Sequence, residues 1–497
     1  MAKIGAIVSF LLITFGTTGV WADDKPDSEL PARVATRHAI LLGDRRLEYD
    51  AIAETLPLTD AKGETTATVF TIAYLTDAAP GRERPVSFVF NGGPGAASVF
   101  LHLGALGPRI METPENGAVP SPPVRLVDNP ASWLGFTDFV FIDPVGTGFS
   151  RGKGKEENPD KPFWDVRADI ASLGTVVRLW LTRHERWSSP IFLVGESYGG
   201  FRAATMAQAL PRDVGVTING LALISPALDL SALHQDERDL LAAAFFLPSY
   251  AATAAVHGPQ PGRDRAGVER FALSDYLVGL AGLEGEPSHG NPFIAKVAEI
   301  TGLPEEIVRR YRGRVPRGVF AREIRRAEGE VVSLYDGSIA RPARPDEADE
   351  NAPDPLLQPA VAAYGAAFNA YAADALGYHT DLPYRVLPRD ISRQWNWQGE
   401  RRGDGLGLAM SSLETALLEH PETKVLIVNG HYDLVTPYLA SRWLVDQLAV
   451  PAARRAGIRL RVYEGGHMMY MRPDSRLLLS RDAAELYAAP GAAPPSQ

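Results

Sequence analysis

Short, almost wholly apolar runs recur along this chain, and they limit its possible folds more than any other feature of the sequence. Each run has the length of a single strand and lacks the regular alternation that marks a half-exposed strand. Such runs are typical of strands buried on both faces of a parallel sheet. They are VSFVF (86–90), DFVFI (138–142), IFLV (191–194), LALIS (221–225), KVLIV (424–428) and LRVYE (460–464).

Helical and antiparallel patterns surround these runs. Between the second and third runs, apolar residues at helical spacing predict an amphipathic helix, and they are Val166, Ile170, Leu173, Val177 and Trp180. Upstream, residues 38–76 alternate in polarity and contain the turn pairs Gly43-Asp44 and Lys62-Gly63, which predicts an antiparallel β-meander. Because strands that alternate with helices favour an α/β sheet, we predict an α/β fold with a mostly parallel central sheet after the meander.

The middle of the chain has a different character. Residues 231–385 contain no run typical of a buried strand, but helix-like stretches occur at 240–256, 291–311 and 359–375. This predicts a mainly helical cap inserted into one α/β core. The predicted division is a signal peptide, a first core segment, the cap, a second core segment and a disordered tail, at residues 1–22, 23–230, 231–385, 386–488 and 489–497.

The N-terminus has the pattern of an export signal. Lys3 precedes an apolar stretch at residues 4–15, and the small residues Val20 and Ala22 stand just before Asp23. The alternative is an uncleaved membrane anchor, but the apolar stretch is short and is thinned by threonines. We therefore predict cleavage after Ala22, a periplasmic or secreted protein, and no membrane association beyond the leader.

Composition excludes several classes of site. The sequence has no cysteine, so disulfides and thiolate zinc sites are impossible, and its ten histidines include no HExxH pair. The formal net charge is -10 and no dense block of Lys and Arg occurs, which argues against nucleic acid as a partner. GTGFSRGKGK (146–155) matches neither common nucleotide-binding motif. We expect neither a metal nor another cofactor, and the sequence does not determine the oligomeric state.

A candidate nucleophile lies between two of the glycines. Gly195-x-Ser197-x-Gly199 follows the apolar run 191–194 and precedes an alanine-rich helical stretch at 201–210. The motif alone arises easily by chance in a chain with 46 glycines, so its context decides. A strand, a sharp turn and a helix in this order form a nucleophile elbow, which exposes the serine hydroxyl at the edge of a sheet. We predict that Ser197 is a catalytic nucleophile.

Two later strands supply a candidate acid and a candidate base. Asp433 follows the run 424–428, and His467 follows the run 460–464 after two glycines. A nucleophilic serine needs a base and an orienting acid, and in elbow-containing folds they follow in the order acid, then histidine. An isolated Asp at a strand end is also typical of a turn, and His431 is a rival base only two residues from Asp433. The order favours a Ser197–Asp433–His467 triad.

A glycine-rich loop after the first apolar run predicts an oxyanion hole. Residues 91–95 read NGGPG, and residues without side chains allow backbone amides to approach a substrate oxygen. We assign the hole to the amides of Gly93 and Tyr198, the residue after the nucleophile. A plain structural turn is the alternative.

These motifs together resemble the bacterial branch of the serine carboxypeptidase family, which has an α/β-hydrolase fold. The residues that carry the resemblance are FNGGPGAAS (90–98), DPVGTGFS (143–150), GESYGG (195–200), NGHYDLVTP (429–437) and GGHMMY (465–470). The resemblance implies the same triad and oxyanion hole. It also implies that Asn91, Glu196 and the Gly92 amide bind the free carboxylate at the C-terminus of a peptide. Protonated Glu196 would donate to that anion, since burial and the like charge raise its pKa.

The chain departs from the family pattern at three positions. Ala105 stands where the family has a second acid, Phe90 replaces a Trp, and Ala96 replaces a Cys. The sequence therefore predicts a serine carboxypeptidase that acts on peptides with a free C-terminus through an acyl-enzyme. An esterase or acyltransferase on the same scaffold is the first alternative. A non-catalytic cell-envelope binding protein is the second.

Overall fold

A computed structural model of the chain describes residues 30–77, 83–233, 239–258, 264–283, 287–345, 352–397 and 407–488. The predicted signal peptide and the predicted tail lie outside these residues. The described strands are β1 (Arg33–Leu42), β2 (Arg45–Thr59), β3 (Thr65–Thr76), β4 (Val86–Phe90), β5 (Arg109–Met111), β6 (Leu126–Asp128), β7 (Asp138–Ile142), β8 (Arg151–Gly152), β9 (Ile191–Glu196), β10 (Gly220–Ile224), β11 (Glu330–Val332), β12 (Ala340–Pro342), β13 (Lys424–Gly430) and β14 (Ile458–Tyr463).

The described helices connect and cover these strands. They are α1 (Val99–Leu101), α2 (Val166–Arg183), α3 (Tyr198–Val214), α4 (Leu240–His257), α5 (Arg265–Ala272), α6 (Asp275–Ala281), α7 (Pro292–Thr301), α8 (Glu305–Arg310), α9 (Arg317–Glu323), α10 (Leu357–Asp374), α11 (Arg389–Gln394), α12 (Leu408–Glu419), α13 (Tyr438–Gln447), α14 (Ala452–Ala456) and α15 (Pro473–Tyr487).

One large mixed sheet organises the molecule. Among the described residues its strand order is β1-β2-β3-β7-β4-β9-β10-β13-β14, and β8 pairs with β3. β1, β2 and β3 form the predicted antiparallel meander, which joins the rest of the sheet through an antiparallel β3–β7 pair. From β7 to β14 every neighbouring pair is parallel, and these strands are the predicted apolar runs. This topology confirms the α/β-hydrolase fold.

Apolar cores lie on both faces of the sheet. In β4, Phe88 and Phe90 point into one core and Val89 points into the other, as the alternation of side chains along a strand requires. The first of these cores also contains apolar residues of α2, α3 and α12, and the second contains residues of α10 and α15. The apolar face predicted for α2 is buried, and its N-terminus is capped by Asp165, whose carboxylate accepts the amides of Arg167 and Ala168.

The region between β10 and β13 packs around its own apolar cluster. Residues from α4 to α9 form this cluster together with Leu434 and Leu439. The helix expected at 291–311 is divided into α7 and α8, because Gly302 takes a left-handed φ of +71° and Pro304 follows it. This region was predicted to be mainly helical, and the structure adds one short antiparallel pair, β11 and β12, in which Val331 and Val332 are buried. Strands of three residues are too short to produce a recognisable pattern.

One helix in the described part of the chain has the length and composition of a membrane span. It is α4, with a mean hydropathy of 1.5 over an 18-residue window, and 67% of that window is buried inside the protein. The burial accounts for the apolar composition of α4, which packs against α5, α6, α7 and α13 as the central helix of this region.

Candidate active site

Ser197 occupies a sharp turn between β9 and α3. Its backbone has φ 59° and ψ -124°, a conformation that L-residues adopt only under strain and that is expected of a nucleophile elbow. The flanking glycines permit the turn, because a Cβ on Gly195 would lie 2.0 Å from the carbonyl oxygen of Gly199. A Cβ on Gly199 would lie 2.5 Å from the carbonyl oxygen of Phe90. The local sequence thus forces the Ser197 side chain to the edge of the sheet, where it is partly exposed.

Asp433 and His467 meet beyond the ends of β13 and β14. The Nδ1 atom of His467 lies 2.9 Å from Oδ2 of Asp433, and both side chains are buried. Asp433 is held in turn by two backbone amides, since its Oδ1 accepts from Val435 at 2.7 Å and from Thr436 at 2.8 Å. The arrangement fixes the orientation of the imidazole and can stabilise its protonated form.

Thr436 contacts both Asp433 and His467. The sequence analysis gave it no role. Its hydroxyl donates to Oδ2 of Asp433 at 2.7 Å and lies 3.0 Å from Nδ1 of His467. Burial lowers the pKa of His467, but the charge and the hydrogen bond of Asp433 oppose it and leave the pKa raised overall. The only sequence signal for Thr436 was its position three residues after the predicted acid.

The end of β10 contacts both the elbow and residues 464–467, which follow β14 and are called the histidine loop. The amide of Ser197 donates to the carbonyl of Ile224 at 3.0 Å, and the hydroxyl of Ser225 donates to the carbonyl of His467 at 2.9 Å. Ile224 and Ser225, which are consecutive at the end of β10, therefore hold the backbones of Ser197 and His467. The structure brings Ser197, Asp433 and His467 to the carboxyl ends of β9, β13 and β14, where catalytic groups collect in α/β sheets.

The glycine loop after β4 lies directly against the elbow. A Cβ on Gly92 would lie 2.6 Å from the amide nitrogen of Tyr198 and 2.8 Å from Cβ of Ser197. Gly93 has a φ of +100°, which is accessible to glycine but strained for other residues. Tyr198 is the first residue of α3, so its amide has no acceptor within the helix. The two amides predicted for the oxyanion hole thus belong to segments in close contact.

Asn91 and Glu196 are hydrogen-bonded to one another beneath this loop. Nδ2 of Asn91 donates to Oε2 of Glu196, and Oδ1 of Asn91 accepts the amide of Leu101 at 3.0 Å. The Asn91 carbonyl accepts from the buried guanidinium of Arg202 at 2.5 Å. Arg202 is paired with Asp169 at 2.7 Å. Asn91 is therefore held at its side chain and at its backbone, which fixes the point from which the glycine loop departs.

Glu196 is buried and has a perturbed acidity. Burial raises the pKa of Glu196 to about 7, although the charge of His467 and the hydroxyl of Tyr470 favour the ionised form. A carboxyl group with this pKa is available as a hydrogen-bond donor in mildly acidic solution and as an anion in mildly basic solution. Perturbed groups of this kind concentrate at functional sites.

Tyr470 is the second partner of Glu196 and was not singled out from the sequence. Its hydroxyl lies 2.9 Å from Oε1 and 3.0 Å from Oε2 of Glu196, and the residue is fully buried. Its ring packs close to the backbone of Gly104, where a Cβ would lie 2.9 Å from Cε2 of Tyr470. Ala105, which stands in place of the expected second acid, is the next residue and is buried. Among the described residues, the hydroxyl of Tyr470 contacts Glu196 and no second carboxyl is hydrogen-bonded to it.

The rival base, His431, is paired with an arginine. Burial, followed by the charge of Arg265, lowers the pKa of His431 to about 4, and Nε2 of His431 lies 2.7 Å from Arg265. His431 is thus paired with Arg265, whereas His467 contacts the predicted acid. Within the residues that the structure describes, no cluster of three or more His, Asp or Glu side chains could hold a metal ion.

Comparison with known proteins points to one family. Residues 61–240 match the family model described as serine carboxypeptidase. Serine carboxypeptidase-like 20 of Arabidopsis thaliana is 31% identical over 147 residues, which is 29% of this chain and 27% of the relative. The lysosomal protective protein of Mus musculus is 28% identical over 171 residues, which is 33% of this chain and 32% of that relative. The chain therefore matches only about a third or less of the length of these curated relatives.

Solved structures are similar only at a low level. The crystal structure of VinJ aligns with 87% of this chain and 97% of its own chain, at 14% identity and a TM-score of 0.37. The fold assignment rests instead on the strand order described above. The matched segment contains Asn91, Glu196 and Ser197, while Asp433 and His467 lie outside it. Residues 61–240 are thus similar to the serine carboxypeptidase family, and the strand order is that of an α/β-hydrolase fold.

Proposed function

We propose that the protein is a serine carboxypeptidase that releases the C-terminal residue of peptides. One observation carries the proposal: a buried glutamate with a pKa raised to about 7 directly precedes the serine of a nucleophile elbow. A buried carboxyl group that is largely protonated in mildly acidic solution can donate a hydrogen bond to the charged end of a substrate beside the nucleophile. The family match over residues 61–240 supports the same activity.

The reaction proceeds through an acyl-enzyme. His467 accepts the proton of the Ser197 hydroxyl as its oxygen attacks the carbonyl carbon of the last peptide bond. The amides of Gly93 and Tyr198 stabilise the oxyanion that forms. His467 then gives its proton to the departing amine, and the C–N bond breaks. Water repeats the attack on the ester, with His467 as base, and releases the peptide and Ser197. Asp433 holds the imidazole in the required orientation throughout.

The free carboxylate of the substrate is bound beside this machinery. Protonated Glu196 donates a hydrogen bond to it, and the amides of Asn91 and Gly92 are the other donors. The hydroxyl of Tyr470 can donate to Glu196 when the carboxyl is ionised and can accept from it when it is protonated. Both protonation states are thus satisfied in the free enzyme. Recognition of a carboxylate then requires mildly acidic conditions, since an ionised Glu196 would repel it.

One observation favours a second candidate function. The absence of the second acid, with Ala105 in its place, weakens the carboxylate site relative to the family pattern and suits an esterase or acyltransferase that binds neutral substrates. A non-catalytic binding protein of the cell envelope explains neither the strained Ser197 nor the contact between His467 and Asp433. The peptide as partner and the periplasmic or secreted location remain parts of the proposal. N-terminal sequencing of the exported protein should begin at Asp23.

The proposal is tested with a matched pair of substrates. An N-blocked dipeptide with a free carboxylate and its C-terminally amidated twin are compared at pH 6, together with labelling by a fluorophosphonate. We expect labelling and hydrolysis to disappear in Ser197→Ala and to persist in Ser411→Ala, an exposed serine on α12. Equal kcat/KM on both substrates would support the esterase reading instead. Labelling that persists in Ser197→Ala would refute the assignment of the nucleophile.

A further inference from the structure

A turn of the region between β10 and β13 contacts the loops of both the predicted base and the predicted acid. It consists of residues 334–337, between β11 and β12, and is called the cap turn below. Its sequence, LYDG, matches no catalytic motif, and it lies about 130 residues from His467 in the chain. Its contacts with the triad loops are therefore visible only in the folded protein.

The cap turn binds two consecutive amides of the histidine loop. The amide of His467 donates to the carbonyl of Tyr335 at 2.5 Å, and the amide of Gly466 donates to Oδ2 of Asp336 at 3.0 Å. The approach is close, because a Cβ on Gly466 would lie 2.0 Å from the carbonyl oxygen of Tyr335. The ring of Tyr335 also packs edge-on against the imidazole of His467, with 5.4 Å between centroids.

The same turn is joined to the loop that carries the acid. The amide of Leu434 donates to the carbonyl of Leu334 at 3.0 Å, and the amide of Gly337 donates to the carbonyl of Tyr432 at 2.9 Å. These residues flank Asp433 on both sides. The cap turn is therefore hydrogen-bonded to the backbone next to Asp433 and to the backbone of the His467 loop.

The cap turn is held by contacts that do not involve the triad. The carboxylate of Asp354 accepts the hydroxyl of Ser333 at 2.6 Å and the amide of Leu334 at 2.8 Å. Oδ1 of Asp336 accepts the amide of Ser338 at 3.0 Å and its hydroxyl at 2.5 Å. Asp336 is also buried, with 4% of its surface exposed. These contacts fix the shape of the cap turn. Oδ2 of Asp336 and the carbonyl of Tyr335 remain to accept the amides of the histidine loop.

The histidine loop needs such a support. Gly465 and Gly466 precede His467, and Gly465 has a φ of +123°, so the local sequence restricts the backbone little. The hydrogen bond to Asp433 orients the imidazole and Ser225 holds the carbonyl of His467, whereas the amides of Gly466 and His467 are held by the cap turn. A displacement of about 1 Å at a catalytic group can cost on the order of 100-fold in rate. Ordering this loop before substrate binds avoids that loss.

We propose that the cap turn is a positioning element for the catalytic base, with Asp336 and the Tyr335 carbonyl as its working groups. The region between β10 and β13 then contributes to kcat through the position of His467, in addition to whatever it contributes to substrate binding. This inference rests on the proposed function, because it assumes that His467 is the base.

Two substitutions disrupt the contacts between the cap turn and the histidine loop. In Asp336→Asn the shape is kept, but the amide NH2 faces either the Gly466 amide or the Ser338 amide, so one hydrogen bond becomes a contact between donors. In Gly466→Ala the new methyl group collides with the Tyr335 carbonyl. Gly318→Ala in α9 is the control, since its Cβ would lie 3.5 Å from the nearest neighbour, the flexible end of Arg322.

The experiment measures kcat and KM on the free-carboxylate dipeptide, the rate of fluorophosphonate labelling, and the unfolding midpoint of each variant. We expect kcat and labelling to fall about 10- to 100-fold in Asp336→Asn and Gly466→Ala, with KM within about twofold of wild type, at temperatures where each variant is folded. Gly318→Ala should match wild type. If Gly466→Ala does not fold, Asp336→Asn decides.

Two results would overturn the inference while leaving the proposed function intact. One is a wild-type protein that labels and hydrolyses the peptide while Asp336→Asn keeps its kcat. The other is a change in KM without a change in kcat, which would make the cap turn a binding element only. Failure of the proposed function looks different, because wild type itself would then neither label nor release the C-terminal residue.

Discussion

The pKa of Glu196 leads to a quantitative prediction about substrate choice. The pKa is raised to about 7 by burial, so the carboxyl is about 90% protonated at pH 6 and about 10% protonated at pH 8. Only the protonated form donates to a substrate carboxylate. The kcat/KM for a free-carboxylate peptide should therefore fall about tenfold across this interval because of Glu196 alone, which corresponds to about 1.4 kcal/mol.

The prediction is best measured as a ratio. His467 also titrates, and its pKa is raised, so the pH dependence of either substrate alone mixes the two groups. Dividing kcat/KM for the N-blocked dipeptide by kcat/KM for its amidated twin cancels the contribution of His467, since both substrates need the same base. The carboxyl group of the substrate has a pKa near 3.5 and stays ionised throughout. The ratio thus reports the protonation of Glu196 in the free enzyme.

Glu196→Gln should make the ratio independent of pH. A glutamine can accept from Asn91 with its oxygen, and its NH2 remains a neutral donor at every pH. Glu305→Gln, an exposed position on α8, is the control and should keep the tenfold fall. The reasoning is refuted if the wild-type ratio is flat between pH 6 and 8, or if Glu196→Gln retains the slope of wild type.

Two further predictions concern the partners of Glu196 and Ser197. Tyr470→Phe removes a hydrogen-bond donor from the ionised form of Glu196. The pH midpoint of the ratio between the free-carboxylate and amidated substrates should therefore move up by about one pH unit. An unchanged or lower midpoint would contradict the role given to this hydroxyl. Gly92→Ala places a methyl group 2.6 Å from the Tyr198 amide and should lower kcat by about 100-fold or more. Gly174→Ala, whose nearest neighbour would be 3.5 Å away, should be nearly silent, and equal activity of the two variants would argue against the oxyanion hole.

The amino-acid sequence by itself determined the strands of the core and the sharp turn that carries the predicted nucleophile, Ser197. Runs such as 86–90 and 191–194 have no polar face, so they could only be buried between two layers of helices. The elbow was readable for a local reason, because Gly195 and Gly199 are required by contacts within a few residues of Ser197 or with the adjacent strand. The positions of Asp433 after β13 and His467 after β14 could likewise be predicted from the apolar runs that precede them.

Only the tertiary structure decided what surrounds these residues. Tyr470 reaches Glu196 across 274 positions of sequence, and the cap turn reaches Gly466 across 130. Neither contact leaves a periodicity or a motif, because a hydrogen bond between distant loops depends on how β9, β14 and the cap pack together. The sequence therefore predicted the reacting groups, and the folded chain determined the acidity of Glu196 and the contacts that hold the loop of His467, since burial and long-range packing set both.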